Sequence, residues 1–406
     1  MSGTDVTVHR PQEFPFPEPQ KGSVDVLIVA GEHSGDEQAA RMVATLLARR
    51  PELRVAAIGG PRLAAAGAQL LFDLTASSVV GLVEVLRNLG FFRRVFNETL
   101  RWIETHRPKV VCFVDYPGFN LRMARALAAA GISVKGGGTV RSVYYISPQI
   151  WAWKARRRFS MAEMLDSLAV IFPFEVECYK DTILPVRFVG HPFVGPDYKA
   201  PLRYDQAGPV LLLAGSRRAA VGRIAPVLLD GFEAYRKGND EARAVMIYPS
   251  AAIRELLEAE LARRPGVREA VSLVANSEQV AAAAVLTSSG TMSLTCALAG
   301  IPGAIAYRAN PITYRLGRLL VKVPYIGIGN LILSEPIYPE FIQGAARPDR
   351  LAAELRDCLE NPERVLRTKR LAAELREALA RPPEGDAANW LAGEIEAARR
   401  GGAAGA

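Results

Sequence analysis

The chain has 406 residues and carries 50 Lys+Arg against 42 Asp+Glu, a formal net charge of +8. At roughly 150 residues per domain, that length predicts two or three domains. Half the residues are hydrophobic and 23% are charged, which excludes wholesale disorder, and no apolar run reaches the roughly 18 residues that cross a bilayer. The four cysteines and four histidines form no CxxC pair and no metal-ligand spacing, so neither a metal nor a cofactor is expected. The excess of positive charge points to an anionic partner: a nucleic acid, a phosphorylated metabolite or an acidic lipid surface.

Residues 1–22 are polar and Pro-rich and lack an apolar signal segment, which predicts a disordered arm on a cytoplasmic chain. VDVLIVAG (24–31) is a short apolar run ending in glycine, the pattern of a strand buried on both faces. A helical stretch follows, and then RVAAIGG (54–60), KVVCFVDYPGFN (109–120), VRSVYYIS (140–147) and SLAVIFPF (167–174) read as further strands. Strands alternating with helices predict a parallel sheet of βαβ units. The pattern restarts at GPVLLLAGSRRAA (208–220) and continues through ARAVMIYPS (242–250), AVSLVANS (270–277) and AAVLTSSGT (283–291). The expected organisation is therefore an arm at 1–22, Rossmann-like domains at 23–205 and 206–365, C-terminal helices at 366–400 and a disordered tail at 401–406.

Ligands of doubly wound sheets sit outside the carboxyl ends of the strands, which singles out three loops. Gly215, Ser216 and Arg217 place backbone N–H groups and a guanidinium at a helix start, which suits a phosphate or diphosphate; an ordinary strand–helix turn reads equally well. Ser289, Gly290 and Thr291 offer hydroxyls and another helix start, readable as an anion site or as a plain N-cap. Asp115 lies at a strand's carboxyl end, expected to face an interdomain cleft, and is either a general base or a loop-capping Asx residue. GEHSGD (31–36) lacks the spacing of a phosphate loop, and its Glu32 and Asp36 would repel one, so it reads as an acceptor-side or structural loop. LGFFRRVF (89–96) and WAWKARRR (151–158) mix aromatic and basic residues. That mixture fits either a membrane interface or a helix with a core face and a solvated basic edge. The basic residues are not concentrated in one domain and match no nucleic-acid module, so no nucleic acid is expected.

The motifs GEHSGD (31–36), VVGLVEVL (79–86), VDYPGFNLR (114–122), YYISPQIWAWK (144–154), FPFE (172–175), FVGHP (188–192), AGSRR (214–218), SSGT (288–291) and VPYIGIGNLIL (323–333), in this order, resemble the lipid-A-disaccharide synthase family. The resemblance covers roughly residues 24–375. It implies a GT-B glycosyltransferase, an α/β fold of two Rossmann-like domains whose parallel sheets face a central cleft, followed by a helical C-terminal segment. The implied reaction joins UDP-2,3-diacylglucosamine to 2,3-diacylglucosamine 1-phosphate, giving a β(1→6)-linked disaccharide 1-phosphate and UDP at the cytoplasmic face of the inner membrane. Some family members dimerise by exchanging C-terminal segments.

By the same resemblance, Asp115 is the base. Gly215, Ser216, Arg217, Ser289, Gly290, Thr291 and Asn330 bind the UDP donor, Ser34 and Glu84 lie on the acceptor side, and Phe91, Phe92, Arg93 and Arg94 contact membrane or acyl chains. The chain departs from the family pattern at Thr295, where a ribose-binding Glu is usual, and at Ala214, Ala220, Gly118 and Gly195; residues 134–142 read as an insertion. These departures keep two alternatives open: a diverged paralogue using another nucleotide sugar or lipid acceptor, and a non-catalytic paralogue that binds nucleotide sugar or lipid.

Overall fold

The computed structural model describes residues 14–77, 89–195, 198–276, 278–310, 314, 323–380 and 385–403. The chain forms two compact units, one of residues 1–192 and 381–406 and one of residues 193–380.

The first unit is built on a parallel seven-stranded sheet of β1 (Val26–Ala30), β2 (Val55–Gly59), β3 (Gln69–Asp73), β4 (Val110–Val114), β5 (Arg141–Tyr145), β6 (Ser167–Val170) and β7 (Val186–Phe188), ordered β3-β2-β1-β4-β5-β6-β7. Every residue of β1 and β4 is buried, as uninterrupted apolar strands covered on both faces must be. Their register sets Ala30 beside Val114, so the chain leaves both strands at one point on the sheet's edge. The order runs outward in both directions from the β1–β4 pair, which makes that pair the switch point where such sheets bind ligands.

The second unit repeats the design with β9 (Val210–Leu213), β10 (Ala244–Tyr248), β11 (Val271–Ala275), β13 (Ala284–Thr287), β14 (Gly303–Tyr307) and β15 (Glu340–Ile342), ordered β11-β10-β9-β13-β14-β15 and parallel throughout. Its switch point is the β9–β13 pair, in register from Ala284 opposite Val210 to Thr287 opposite Leu213. A short parallel pair, β8 (Leu202–Tyr204) with β12 (Val280–Ala282), also belongs to this unit, so the chain enters it at Phe193, ahead of the boundary read from composition. The α/β class, the two Rossmann-like halves and the helical C-terminus match the sequence reading.

The ends of the chain differ from that reading. Residues 14–22 are ordered against the first unit: Phe16 is buried, and the Trp102 indole N–H donates to the Pro17 carbonyl at 3.0 Å. Phe14 and Phe16 stack with each other, and both rings pack at a tilt against Phe72. Pro-rich composition suggested disorder, but two aromatic side chains anchor the segment by burying apolar area. At the other end, the helix Pro362–Leu379 stays with the second unit, while the helix Ala387–Ala403 packs on the first and extends past Arg400. Trp390 of that helix donates to the Ser167 hydroxyl at 2.9 Å. Arg141 pairs with Glu394 at 2.6 Å and Arg399 with Asp25 at 3.0 Å. Asp25 is buried. Burial alone would raise its pKa, but hydrogen bonds from the Lys109 ammonium, the Arg54 amide and Arg399 hold it below the usual carboxylate value.

Candidate active site

In the first unit, the chain leaves β1 through Gly31 and Glu32 into the helix His33–Arg49, and leaves β4 through Asp115 and Tyr116 into the helix Pro117–Ala129. Asp115 and Tyr116 both adopt left-handed backbone conformations, with φ of 46° and 50°. For non-glycine residues that costs on the order of 1 kcal/mol or more each and persists only where surroundings enforce it. The enforcing bonds are all present. The Asp115 amide donates to the Tyr145 carbonyl at 3.0 Å. The Asp115 carbonyl accepts from the Tyr144 hydroxyl at 2.5 Å and from the Asn120 amide at 2.7 Å. Asn120 also donates to Val114 and Val29 carbonyls, tying β4 to β1. A Cβ on Gly31 would lie 2.1 Å from the Tyr116 ring, so only glycine admits that ring over the end of β1.

The Asp115 carboxyl is half-buried at this mouth. Burial pushes its pKa up to about 6, and the neighbouring Glu32 carboxylate pushes the same way, against a backbone hydrogen bond from Tyr116. The carboxyl can therefore exchange a proton near neutral pH, whereas an ordinary surface aspartate is already fully ionised there. Glu32, His33 and Ser34 are exposed beside it.

Asp36, expected to oppose phosphate in the GEHSGD loop, is fully buried and turned away. Its carboxylate accepts from the backbone amides of Gly60 at 2.8 Å, Arg62 at 3.0 Å and Leu63 at 3.3 Å, and so caps the helix Pro61–Ala65. Glu84 lies outside the described residues. Phe91 and Phe92, on the helix Leu89–His106, are half-buried against the core, Phe91 packing on Phe72 and Phe14. Arg93 is exposed, and the Arg94 guanidinium sits over the Phe14 ring at 5.5 Å. The aromatic pair is thus partly given to the core, while Arg93 and Arg94 are exposed.

In the second unit, the chain leaves β9 through Ala214 and Gly215 into the helix Arg218–Arg236. Gly215 has φ 103°, a conformation that excludes a side chain. Ser216 and Arg217 are exposed, and the Arg217 side chain makes no hydrogen bond or ion pair among the described residues. The Ala220 and Val221 amides donate to the Arg217 carbonyl at 2.9 Å, while those of Arg218 and Ala219 have no hydrogen-bond partner among the described residues and open the helix start to a ligand. Beside it, β13 ends in Thr287, and Gly290 is the N-cap of the helix Thr291–Leu298. The two loops touch: the Ser288 amide donates to the Leu213 carbonyl at 2.9 Å, and the Ser288 hydroxyl lies 3.5 Å from where a Gly215 Cβ would be. Two helix N-termini, the half-buried Ser289 and Arg217, whose guanidinium has no partner among the described residues, thus stand on the two loops that leave this switch point, a set of donors that suits a diphosphate.

Two residues expected near the nucleotide take other roles. Asn330 is buried; its amide nitrogen donates to the Tyr338 carbonyl at 2.7 Å and to Glu340 at 2.8 Å, and its oxygen accepts from the Tyr338 amide. Its side chain is committed to joining the helix Ile328–Leu333 to β15. The Glu340 carboxylate completes the link by accepting from the Ile326 and Gly327 amides. Thr295 is buried and turns its hydroxyl back to the Thr291 carbonyl at 3.3 Å, so it offers no group outside its helix. Sequence reasoning missed Asn120, Tyr144 and Glu32 as shapers of the Asp115 site. Asn120 and Tyr144 stand within the quoted motifs, but nothing in their spacing reveals a shared carbonyl.

The description of the family model that matches residues 26–394 is lipid-A-disaccharide synthetase. The lipid-A-disaccharide synthase of Geobacter metallireducens is 35% identical over 357 residues, spanning 85% of this chain and 90% of that one. The synthase of Nitrosococcus oceani is 37% identical over 355 residues, spanning 84% and 88%. Among solved structures, the UDP-GlcNAc 2-epimerase from Neisseria meningitidis bound to UDP-GlcNAc superposes with a TM-score of 0.54 at 11% identity, covering 92% of this chain and 99% of that one. A UGT transferase from Siraitia grosvenorii in complex with UDP gives 0.54 at 13% identity, covering 93% and 100%. These likenesses, with two Rossmann-like units in one chain, make the fold GT-B. With the family model spanning both sheets and relatives more than a third identical along most of their length, the chain belongs to the lipid-A-disaccharide synthetase family.

Proposed function

We propose that this glycosyltransferase of lipid A biosynthesis transfers 2,3-diacylglucosamine from UDP to the 6-hydroxyl of 2,3-diacylglucosamine 1-phosphate, forming the β(1→6) disaccharide 1-phosphate and UDP. The observation that carries this reading is the Asp115 carboxyl, held on a strained backbone at the first unit's switch point with a pKa pushed up to about 6. A base of that strength takes the acceptor hydroxyl's proton as the oxygen attacks the anomeric carbon from the face opposite UDP. The bond from that carbon to the diphosphate breaks, and its electrons leave with UDP. Arg217 and the amides and hydroxyls of Gly215, Ser216, Ser289, Gly290 and Thr291 meet the charge that develops there. Ser34 stands on the acceptor side. Asn330 acts on the donor through the loop it braces.

Both proposed substrates carry acyl chains, which supports work at a membrane surface, and the face we propose is the cytoplasmic one. No helix among the described residues is long and apolar enough to cross one, so the association we propose is peripheral. A dimer made by exchanging C-terminal segments would remake the Trp390, Glu394 and Arg399 contacts between copies.

Thr295 favours a second reading, a relative using another nucleotide sugar, because its hydroxyl is spent inside its own helix. The coexistence of Asp115 and Arg217 argues against a non-catalytic binder, which needs no base.

Purified protein incubated with both lipid substrates is expected to release UDP and yield the disaccharide phosphate, read by mass spectrometry. Protein that binds UDP yet forms no disaccharide would sink the reaction, and turnover with a different nucleotide sugar alone would establish the second reading.

A further inference from the structure

Asp115 lies where the strands of the first sheet end, and a separate cluster of charge lies where they begin. Lys109 stands immediately before β4 and Asp115 immediately after it, so at about 3.3 Å per residue the two edges are roughly 20 Å apart. At the starting edge, a cavity of about 230 Å³ is lined by Arg107, Pro108, Lys109, Thr139, Ala398 and Arg399. That is many times the space one water needs. Three of the lining residues are cations, and none is an acid.

The cations outnumber the acid beside them. The single carboxylate of buried Asp25 is shared among Lys109 at 2.7 Å, Arg399 at 3.0 Å and Arg54 at 3.8 Å. Glu394, on the same C-terminal helix as Arg399, is committed to Arg141 at 2.6 Å. Arg107 has no ion pair among the described residues; its Nε donates to the Glu104 carbonyl at 2.8 Å, and neither Nη has a partner there. Arginine is also a costly choice at 107. The backbone closes the helix Leu89–His106 at this residue with φ 43°, the Arg107 amide donating to the Ile103 carbonyl at 2.9 Å. Glycine fills such a left-handed cap without strain. The helix dipole favours a cation at 107, but it does not account for four cations around one carboxylate. Thr139 comes from residues 134–142, the stretch that reads as an insertion. Its turn is held in place by the Ser133 carbonyl, which accepts from the Gly136 and Gly138 amides at 2.9 Å. The Thr139 hydroxyl has no partner among the described residues.

We propose that this cavity binds a phosphate-class oxyanion, and that the bound anion fastens the helix Ala387–Ala403 to the sheet. Surplus positive charge, forked guanidinium donors and a free hydroxyl match a multiply charged tetrahedral anion. Arg399 comes from the helix, while Arg107, Lys109 and Thr139 come from the body of the unit, so an anion held by both joins them. The site is independent of the proposed glycosyl transfer.

Titration calorimetry of the full chain with inorganic phosphate tests the site. Phosphate also suits the donor loops, so the protein used is the Arg217→Ala variant, in which the cavity is intact. It should bind phosphate saturably. Adding Arg107→Gly, which removes the guanidinium and relieves the left-handed strain, should weaken that binding at least about tenfold without lowering the unfolding midpoint. Thr139→Val, at an exposed position, is a second probe and should weaken it about threefold or more. A parallel titration with glycerol 3-phosphate distinguishes an ester's phosphate from the free ion, and binding of either supports the site. Saturable binding of neither, or equal affinity in the parent and both added variants, overturns it. Hydrogen exchange reads the fastening: at ten times Kd, amides of the helix Ala387–Ala403 should exchange on the order of tenfold more slowly, and only while Arg107 is present. Phosphate binding that leaves their exchange unchanged overturns the fastening.

Discussion

The Asn120 amide donates to the Asp115 carbonyl at 2.7 Å, and through this bond a buried residue on the helix Pro117–Ala129 fixes the conformation of the proposed base. Asn120 touches no substrate in the proposed reaction; it is a positioning residue. Asn120→Ala leaves the Tyr144 hydroxyl as the remaining side-chain donor to that carbonyl. It should lower kcat on the order of a hundredfold, the scale of a misplacement near 1 Å, with the donor KM little changed. Asn120→Asp should be worse, because an ionised carboxylate would face three carbonyl oxygens with no proton to give. Equal kcat loss in the two variants, or a loss confined to KM, would refute the positioning role.

The pairing of Glu32 with Asp115 sets a pH dependence. Burial comes first among the causes that raise the Asp115 pKa to about 6, and the Glu32 charge adds to it. The base works ionised, so kcat/KM should fall as pH drops through about 6. Glu32→Gln removes the like charge, which should move that acid limb to lower pH without flattening it. A limb that stays in place shows that Glu32 does not act on the group being titrated.

What was legible in the sequence follows from how local each cause is. The strands Val26–Ala30 and Val110–Val114 announce themselves because burial on both faces demands unbroken apolar runs, and Asp115 stands out because it follows one. Gly303–Tyr307 did not read as a strand. Its first residue is glycine, and the reason is tertiary: a Cβ there would lie 2.2 Å from the Val285 carbonyl oxygen on the neighbouring strand. Phe16 shows the same limit. Its prolines speak of disorder, and only the fold reveals the aromatic cluster that holds it. Asn330 and Thr295 occupy recognisable positions, yet their hydrogen bonds turn inward to partners that spacing cannot identify.

Arg217 and Gly215 should separate charge from geometry in the donor loop. Arg217→Ala removes a guanidinium that has no other partner among the described residues, and should weaken UDP binding about tenfold or more while leaving the unfolding midpoint unmoved. Arg217→Lys keeps the charge but not the forked donors, and should recover only part of the loss. Gly215→Ala instead strains the loop at φ 103° and should lower UDP affinity and stability together. Isothermal titration with UDP beside thermal unfolding reads all three. Unaltered UDP affinity in Arg217→Ala removes that residue from the diphosphate site.

Glu175 supplies a prediction about stability alone. It is buried beside Phe172, whose amide donates to its carboxyl at 3.2 Å, and burial pushes its pKa up to about 8 against an unfolded value near 4.5. A group with a raised folded pKa contributes stability that is fully present below the unfolded value and is lost as pH rises through the folded one. Between about pH 4.5 and 8 the folded chain keeps a proton that the unfolded chain has released, so stability falls by up to about 1.4 kcal/mol per pH unit and levels off above about 8. Wild type should therefore lose thermal stability from Glu175 between about pH 4.5 and 8, whereas Glu175→Gln, neutral throughout and still able to accept from Phe172, should lose less over the same range. His191, stacked on Phe172 and held neutral by burial with its pKa lowered to about 3, gives the opposite slope below its unfolded value of 6.5, equally in both proteins, so the difference between them reports Glu175. Parallel pH profiles of stability in the two proteins over that range would show that another group governs it.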